Sequence, residues 1–114
     1  MPYLSLQTNA TPSAEEQAAF LEEASEIVSR VLGKSRIYIM AGAQTGLVMS
    51  FAGHDEPCGF MELKALNFSP EHSTALAQAL SQAASSHLAI SPSRLFLRFV
   101  DTARGHWAMG EKIF

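Results

Sequence analysis

The chain has 114 residues, of which 47% are hydrophobic and 17% charged, and its net charge is −3. This length predicts a single domain, residues 1–114, and the low charged fraction indicates that other copies of the chain cover part of the surface. No cluster of Lys or Arg favours nucleic acid or an anionic membrane, and no apolar run reaches membrane-spanning length. The single cysteine, Cys58, excludes an internal disulfide and fits a reducing compartment, so we expect a cytoplasmic protein.

The chain opens with the alternating segment MPYLSL. Leu4 and Leu6 alternate with Tyr3 and Ser5, which predicts a strand that begins at once. Pro2 fits the first position of a strand, because no donor of the hydrogen-bond ladder is missing there. A second interpretation is that removal of Met1 turns Pro2 into a secondary amine that acts as a base.

A helix and a second strand are predicted next. Ser13 and Glu16 form the Ser-x-x-Glu pattern of a capping box, which begins a helix. Apolar residues then recur on one helical face, and Gly33 is expected to end the helix. Residues 36–40 predict a second strand, and residues 47–51 form another short apolar run.

The second half of the chain has the same order of elements. Residues 58–66 predict a strand with two distinct faces. One face carries Met61, Leu63 and Ala65, and the other carries Phe60, Glu62, Lys64 and Leu66. Ser69 followed by Pro70 predicts the N-cap and first position of an Ala-rich helix, which residues 90–92 end. Residues 94–100 then predict a fourth strand.

The two halves, about 1–57 and 58–114, are similar to each other. Residues 3–6 match residues 60–63, 57 positions later, and residues 35–39 match residues 93–97, 58 positions later. Two β-α-β units side by side predict an α+β fold with a four-stranded mixed sheet and both helices on one face. The other face mixes aromatic, apolar and polar residues, which favours an oligomer over an isolated monomer.

Four segments in order carry a resemblance to a known family. They are MPYLSLQTN at the start, LGK at 32–34, FAGHDEPC at 51–58 and SPSRLFLRFVD at 91–101. Together they resemble macrophage migration inhibitory factor and its D-dopachrome tautomerase relatives along essentially the whole chain. The resemblance implies the tautomerase fold, a homotrimer with active sites at subunit boundaries, and an amino-terminal proline as the catalytic base.

The resemblance also implies individual site residues. Pro2 corresponds to the catalytic base, and Lys34 to the lysine that holds the carboxylate of the substrate. Tyr38, Leu66 and Phe114 correspond to pocket residues, with leucine replacing isoleucine at position 66. A base must be neutral, and both burial among apolar groups and the charge of Lys34 lower the pKa of an amine. Lys34 also has a structural interpretation, since a lysine beyond the C-terminus of a helix interacts favourably with the helix dipole.

Four further pocket positions depart from the family pattern. Phe96 replaces a tyrosine that a neighbouring subunit contributes, and Arg98 replaces an asparagine. Trp107 and Met109 stand where mammalian relatives have valine and tryptophan. Because arginine can hold a carboxylate through two parallel hydrogen bonds, Arg98 is a candidate that supplements or replaces the lysine anchor. The alternative is an ion pair with an acid across the subunit boundary, such as Glu62.

Redox and metal chemistry receive no support from the sequence. The Cys-x-x-Cys pair of the family is broken, because only Cys58 is present, and this cysteine is expected to pack in the core. The four histidines show no ligand spacing, so we expect no metal and no other cofactor.

The expected activity is keto–enol tautomerisation of phenylpyruvate-like α-keto acids or dopachrome, and the aromatic pocket favours an aryl substrate. Two alternatives stay open. One is a non-catalytic trimer that binds or signals, as cytokines of this family do after release without a signal peptide. The other is a proline-dependent dehalogenase or decarboxylase of the same superfamily, which Arg98 keeps open. Nothing in the sequence identifies a receptor.

Overall fold

Two β-α-β units and a terminal hairpin make up the chain in a computed structural model that describes residues 1–114. The first unit consists of β1 (Pro2–Thr8), α1 (Ala14–Leu32) and β2 (Met40–Gln44). The second unit consists of β3 (Gly59–Leu66), α2 (Ser73–Leu88) and β4 (Leu95–Thr102). The hairpin of β5 (Ala108–Met109) and β6 (Lys112–Ile113) was not predicted from the sequence.

The four long strands form one mixed sheet in the order β2-β1-β3-β4. β1 is parallel to β2, and β3 is parallel to β4. The two units meet at the antiparallel pair β1–β3, where Leu4 lies opposite Leu63 and Leu6 opposite Met61. The predicted α+β fold, with two repeated units and a four-stranded mixed sheet, is therefore confirmed.

The core lies between the helices and one face of the sheet. Leu4, Leu6, Met61 and Leu63 are each 1% exposed and pack against the apolar sides of both helices. The helices contribute Phe20, Ala24, Ile27, Val28, Leu76, Leu80, Ala83, Ala84 and Leu88. Burial of one large apolar side chain contributes about 1.5–3 kcal/mol, so this layer holds the helices on the sheet. Cys58 is also buried, as predicted.

Helix α1 begins and ends where the sequence predicts. The side chain of Ser13 accepts a hydrogen bond from the backbone N–H of Glu16 at 3.1 Å, and the Glu16 carboxylate accepts one from the N–H of Ser13 at 2.8 Å. Gly33 follows the helix with a left-handed φ of 64°, which glycine adopts without steric cost.

The start of α2 differs from the prediction. A short 3₁₀ helix, Pro70–His72, precedes α2, and the side chain of Ser69 makes no capping hydrogen bond. The N–H of His72 donates to the carbonyl of Ser69 at 3.1 Å, so the first turn is tighter than an α-helical turn. The expectation that Ser69 is the N-cap of the long helix is therefore wrong.

The predicted strand at residues 36–40 is also wrong. Arg36–Tyr38 forms a 3₁₀ helix, because the side chain of Ser35 accepts from the N–H of Ile37 and the carbonyl of Ser35 accepts from Tyr38. The strand starts only at Met40.

The register of the sheet also changes the predicted alignment of the two halves. Tyr3 pairs with Met40, and its counterpart Phe60 pairs with Phe96. Position 40 therefore corresponds to position 96, which is 56 residues later instead of the predicted 58.

The second face of the sheet carries no helix, and we call it the free face. The row nearest the start of β1 contains Met40, Tyr3, Lys64 and Val100. The middle row contains Gly42, Ser5, Glu62 and Arg98, and the far row contains Gln44, Gln7, Phe60 and Phe96.

Neither helix of the chain combines the length and apolar content needed to cross a membrane.

Candidate active site

A cavity of about 380 Å³ lies at the start of β1. Its walls come from the amino-terminal residues, from the 3₁₀ helix and the start of β2, and from Trp107 with the first strand of the terminal hairpin. The lining residues are Met1, Pro2, Tyr3, Ile37, Tyr38, Ile39, Met40, Trp107, Ala108 and Met109. Nine of these ten residues are hydrophobic, which suits the apolar body of an organic ligand. The cavity brings together four of the predicted site residues, Pro2, Tyr38, Trp107 and Met109.

Pro2 lines this cavity from the start of β1. It is the first residue of β1, lies opposite Ala65 of β3 and is less than 2% exposed. Proline at a strand start leaves no ladder donor unpaired, so this part of the sequence interpretation is confirmed. With Met1 in place, the Pro2 nitrogen belongs to a peptide bond and cannot act as a base.

Lys34 is positioned by the end of α1. The N–H of Lys34 donates to the carbonyl of Ser29 at 3.1 Å, and the hydroxyl of Ser29 donates to the carbonyl of Lys34 at 2.6 Å. Gly33 between them takes the left-handed conformation that turns the chain out of the helix. Lys34 does not line the cavity, but its charge is close enough to act on an amine at the start of β1.

The amino-terminal amine shows the electrostatics of this end of the sheet. Burial first, and the positive charge of Lys34 second, lower the pKa of the Met1 amine below its usual value. Both causes disfavour the charged form of an amine. They are the two effects that the sequence predicted for a Pro2 amine.

The carboxyl end of the chain supports the cavity from behind Tyr38. The ring of Phe114 meets the ring of Tyr38 edge-on, with centroids 6.4 Å apart, and the N–H of Phe114 donates to the carbonyl of Trp107 at 2.9 Å. Phe114 therefore orients Tyr38 without lining the cavity itself.

Leu66 lies beside the cavity residues but does not line the cavity. It shares the strand face of Phe60, Glu62 and Lys64, as predicted, and pairs with Thr102 of β4. It is only 7% exposed, although it stands outside the main core cluster. Within one chain, Leu66 is therefore a buried packing residue and not a lining residue of the cavity.

Phe96 lies in the row of the free face that is farthest from the start of β1. It pairs with Phe60, which in turn pairs with Gln7, five residues after Pro2 on β1. At a rise of 3.3–3.4 Å per residue, this separation is about 17 Å along the strand. Phe96 cannot reach the cavity of its own chain, and the residue is 59% exposed.

Arg98 pairs with an acid of its own chain. It lies directly beside Glu62 in the β3–β4 register, and its guanidinium donates to the Glu62 carboxylate at 3.2 Å. The ammonium of Lys64 approaches the other oxygen of Glu62 at 3.2 Å. The ion-pair partner named from the sequence is thus correct, but the pair forms within one chain and does not need a subunit boundary.

Several cavity residues were missed from the sequence. The sequence predicts a strand for Ile37, Ile39 and Met40, but Ile37 lies in the 3₁₀ helix, Ile39 caps it and only Met40 is in β2, and all three line the cavity. The apolar run 37–40 was the available signal. No local pattern points to Ala108. No group of three or more His, Cys, Asp or Glu side chains is placed to hold a metal ion.

Comparisons with known proteins agree with this geometry. The sequence model of the family described as macrophage migration inhibitory factor (MIF) matches residues 1–112. A macrophage migration inhibitory factor homolog of Brugia malayi is 30% identical over 115 residues, covering 100% of this chain and 99% of the relative.

Solved structures share the fold. Macrophage migration inhibitory factor of Toxoplasma gondii matches with a TM-score of 0.90 and 27% identity, covering 98% of this chain and 99% of that one. A second structure, described as a protein inactivated by 2-oxo-3-pentynoate, matches with a TM-score of 0.83 and 23% identity, covering 97% of this chain and 94% of that one. The chain therefore belongs to the macrophage migration inhibitory factor family of the tautomerase superfamily.

Proposed function

We propose that the chain, once Met1 is removed, is a tautomerase of phenylpyruvate-like α-keto acids or dopachrome, with Pro2 as the general base. The observation that carries this proposal is the apolar cavity at Pro2, in which burial and Lys34 both lower the pKa of an amine. Tautomerisation moves a proton between carbon and oxygen, so a base must take the proton from carbon. The established family membership supports an isomerase in general terms.

The cavity meets the requirements of such a base. A general base is most effective when its pKa is near the working pH, and it contributes about 10²–10⁴-fold to the rate. A free α-amino group has an ordinary pKa of about 8, and a proline amine tends to be more basic. Desolvation by the cavity walls and the nearby ammonium group of Lys34 both shift such an amine toward neutrality.

The substrate class follows from the chemistry of the walls. Lys34 supplies the positive charge for the carboxylate of a keto acid. Tyr38, Trp107 and Met109 supply aromatic and soft apolar surface for an aryl group, since aromatic rings associate edge-to-face or offset and thioethers contact ring edges favourably. An aryl keto acid has both parts.

We further propose that the working form is a homotrimer whose neighbouring subunit completes each site. Within one chain Phe96 lies about 17 Å from Pro2 along β1, so its ring enters a Pro2 site only on another copy. Arg98 keeps unused N–H donors beyond its bond to Glu62, and we propose it as a second anchor for the carboxylate.

The test uses protein whose loss of Met1 has been verified by intact mass spectrometry. We expect it to ketonise enol phenylpyruvate. Prior incubation with 2-oxo-3-pentynoate, an electrophilic keto acid that inactivates a structural neighbour of the same fold, should add one label at Pro2 and abolish turnover. The control is a chain with alanine inserted before Pro2, whose proline nitrogen is an amide.

Two results would contradict the proposal. Absence of turnover in a chain with a free Pro2 amine would favour the non-catalytic binding trimer. Loss of turnover with the label on Cys58, the only cysteine, and none on Pro2 would contradict the assignment of Pro2 as the base.

A further inference from the structure

One arginine organises the loop between the two β-α-β units. The guanidinium of Arg94 donates to four backbone carbonyls of this loop, at 3.0 to 3.2 Å. The accepting residues are Phe51, His54, Glu56 and Pro57. Only arginine presents five donors in a fixed planar arrangement, so lysine cannot reproduce this set of bonds.

The same arginine also fixes an aromatic ring. Its guanidinium carbon lies 5.3 Å from the centroid of the Phe51 ring, within the range of a cation–π contact. Phe51 begins a tight turn, because its N–H donates to the carbonyl of His54 and its carbonyl accepts from the N–H of His54, each at 3.0 Å. The backbone and the ring of Phe51 are therefore both held in place.

Asn9 also holds the last part of the loop, residues 55–58. Its amide group donates to the carbonyls of Asp55 and Glu56, and its side-chain oxygen accepts from the N–H of Cys58 at 2.8 Å. A loop with this many bonds to two fixed side chains is a rigid support, although most of its residues are exposed.

The supported ring meets Phe96. The centroids of Phe51 and Phe96 are 4.9 Å apart, with the planes tilted by 51°. Phe96 is 59% exposed on the free face, and Phe51 is the aromatic residue that packs against its ring. Contacts thus connect Arg94 to Phe51 and Phe51 to Phe96. The ring of Phe96 cannot reach the cavity of its own polypeptide chain.

We infer that Phe51 and Arg94 are positioning residues that orient the Phe96 ring as an aryl-binding wall of a neighbouring copy's Pro2 site. This inference rests on the proposed function. An exposed phenylalanine loses side-chain freedom when it binds a ligand, and prior packing on Phe51 removes part of that cost. Selectivity for aryl over aliphatic keto acids then depends on two residues that do not touch the substrate.

The activity test compares an aryl with an aliphatic substrate. Phe51→Leu and Arg94→Lys should each lower kcat/KM for enol phenylpyruvate by roughly 2- to 12-fold, the value of one aromatic contact, and leave an aliphatic enol acid unaffected. In a Phe96→Ala background neither substitution should lower kcat/KM further. The matched control is Phe68→Leu, which breaks the stacked pair Phe68–Phe99 away from the free face and should not change the ratio of the two substrates.

A second measurement does not depend on activity. We would place 4-fluorophenylalanine at position 96 and record its fluorine resonance by NMR. Phe51→Leu and Arg94→Lys should each sharpen the resonance and move it toward the shift of the unfolded chain, whereas Phe68→Leu should leave it in place.

The outcomes of these experiments distinguish the positioning role of Phe51 and Arg94 from the proposed tautomerase function. An unchanged position-96 resonance, or an equal loss for aryl and aliphatic substrates, overturns the positioning role and leaves Arg94 as a structural support of the loop. If the parent chain with a free Pro2 amine shows no ketonisation, the proposed function fails. The fluorine shift alone then decides whether Phe51 and Arg94 orient Phe96.

Discussion

The two β-α-β units differ most at the residue that precedes their first strand. Met1 precedes β1 and lies in the apolar cavity, whereas its counterpart Cys58, 57 positions later, is 1% exposed. Both backbone groups of Cys58 are hydrogen-bonded, its N–H to Asn9 at 2.8 Å and its carbonyl to the Thr8 hydroxyl at 2.6 Å. The same local fold therefore places a cavity-lining residue before β1 and a buried residue with hydrogen-bonded backbone groups before β3.

The difference shows where a repeated fold can acquire chemistry. An ionisable group surrounded by apolar walls has a pKa shifted toward its neutral form, because nothing replaces its lost hydration. A polar group with satisfied hydrogen bonds contributes to stability and has little tendency to react. In this chain the amine at β1 is of the first kind, and the backbone at β3 is of the second.

The largest expected effect comes from blocking the Pro2 amine at the start of β1. Insertion of alanine before Pro2 converts the proline nitrogen into an amide, and we expect kcat/KM for enol phenylpyruvate to fall by about 10²–10⁴-fold. Steady-state ketonisation assays on chains of verified mass measure this loss. Cys58→Ala, the matched change before β3, should lower the free energy of unfolding and leave kcat/KM unchanged. An active inserted chain would show that Pro2 is not the base.

The next effect concerns Lys34, the cation near the amine at the start of β1. Lys34→Gln should lower kcat/KM for a carboxylate substrate by about 10–100-fold, since a hydrogen bond to a charged group contributes about 1.5–3 kcal/mol. It should also raise the pKa of the Pro2 amine, because the charge of Lys34 is one of the two causes that lower the pKa of the Met1 amine at this end of the sheet. The base works only when neutral, so the acidic limb of the pH–rate profile should move to higher pH.

Arg98→Ala is the companion variant for this prediction. If Arg98 is a second anchor, Michaelis constants should rise for substrates with a carboxylate and not for a dopachrome ester. Equal effects on both substrates would leave Arg98 as the partner of Glu62 only.

The third effect tests the packing around the first residue of β3, Gly59. A Cβ added at Gly59 would lie 3.1 Å from a methyl group of Leu95 and 3.2 Å from one of Leu6. We expect Gly59→Ala to lower the free energy of unfolding by about 1–3 kcal/mol through overpacking. Urea unfolding at a fixed chain concentration measures it. Gly42→Ala is the control, because its nearest atom, the hydroxyl of Tyr3, is 3.9 Å away. Equal losses at both positions would contradict the tight packing at β3.

The smallest effect compares the two helix starts. Ser13→Ala removes a complete capping box and should cost about 1 kcal/mol, while Ser69→Ala removes a side chain that caps nothing and should cost almost nothing. Thermal or urea unfolding of the two variants provides the comparison. A larger loss at Ser69 would mean that the short 3₁₀ helix before α2 depends on that hydroxyl.

The fold was predictable because its signals are local. Alternation in β1 and β3 and the capping box of α1 each depend on a few neighbouring residues, and all three are confirmed. The strand expected at 36–40 failed, since Ser35 closes a tight turn with Ile37 and Tyr38 before pairing can begin. Alternation cannot distinguish an apolar run that pairs from one that lines a cavity.

The site was predictable only in part. Pro2, Tyr38, Trp107 and Met109 meet in one cavity, as the family resemblance implied, but the walls formed by Ile37, Ile39 and Ala108 depend on how distant segments meet. The same reason hid the pairing of Arg98 with Glu62 inside one chain, because that contact requires the register of β3 against β4.

The carboxylate of Glu62 lies between two cations, Lys64 and Arg98, so this cluster carries a net charge of about +1 on the middle of the free face. Where copies of the chain bring their free faces together, these clusters repel one another. At 0.1 M ionic strength, dissolved ions largely screen the repulsion between exposed charges that are more than about 10 Å apart. Association of the chain should therefore tighten as salt is added, opposite to an assembly held by ion pairs.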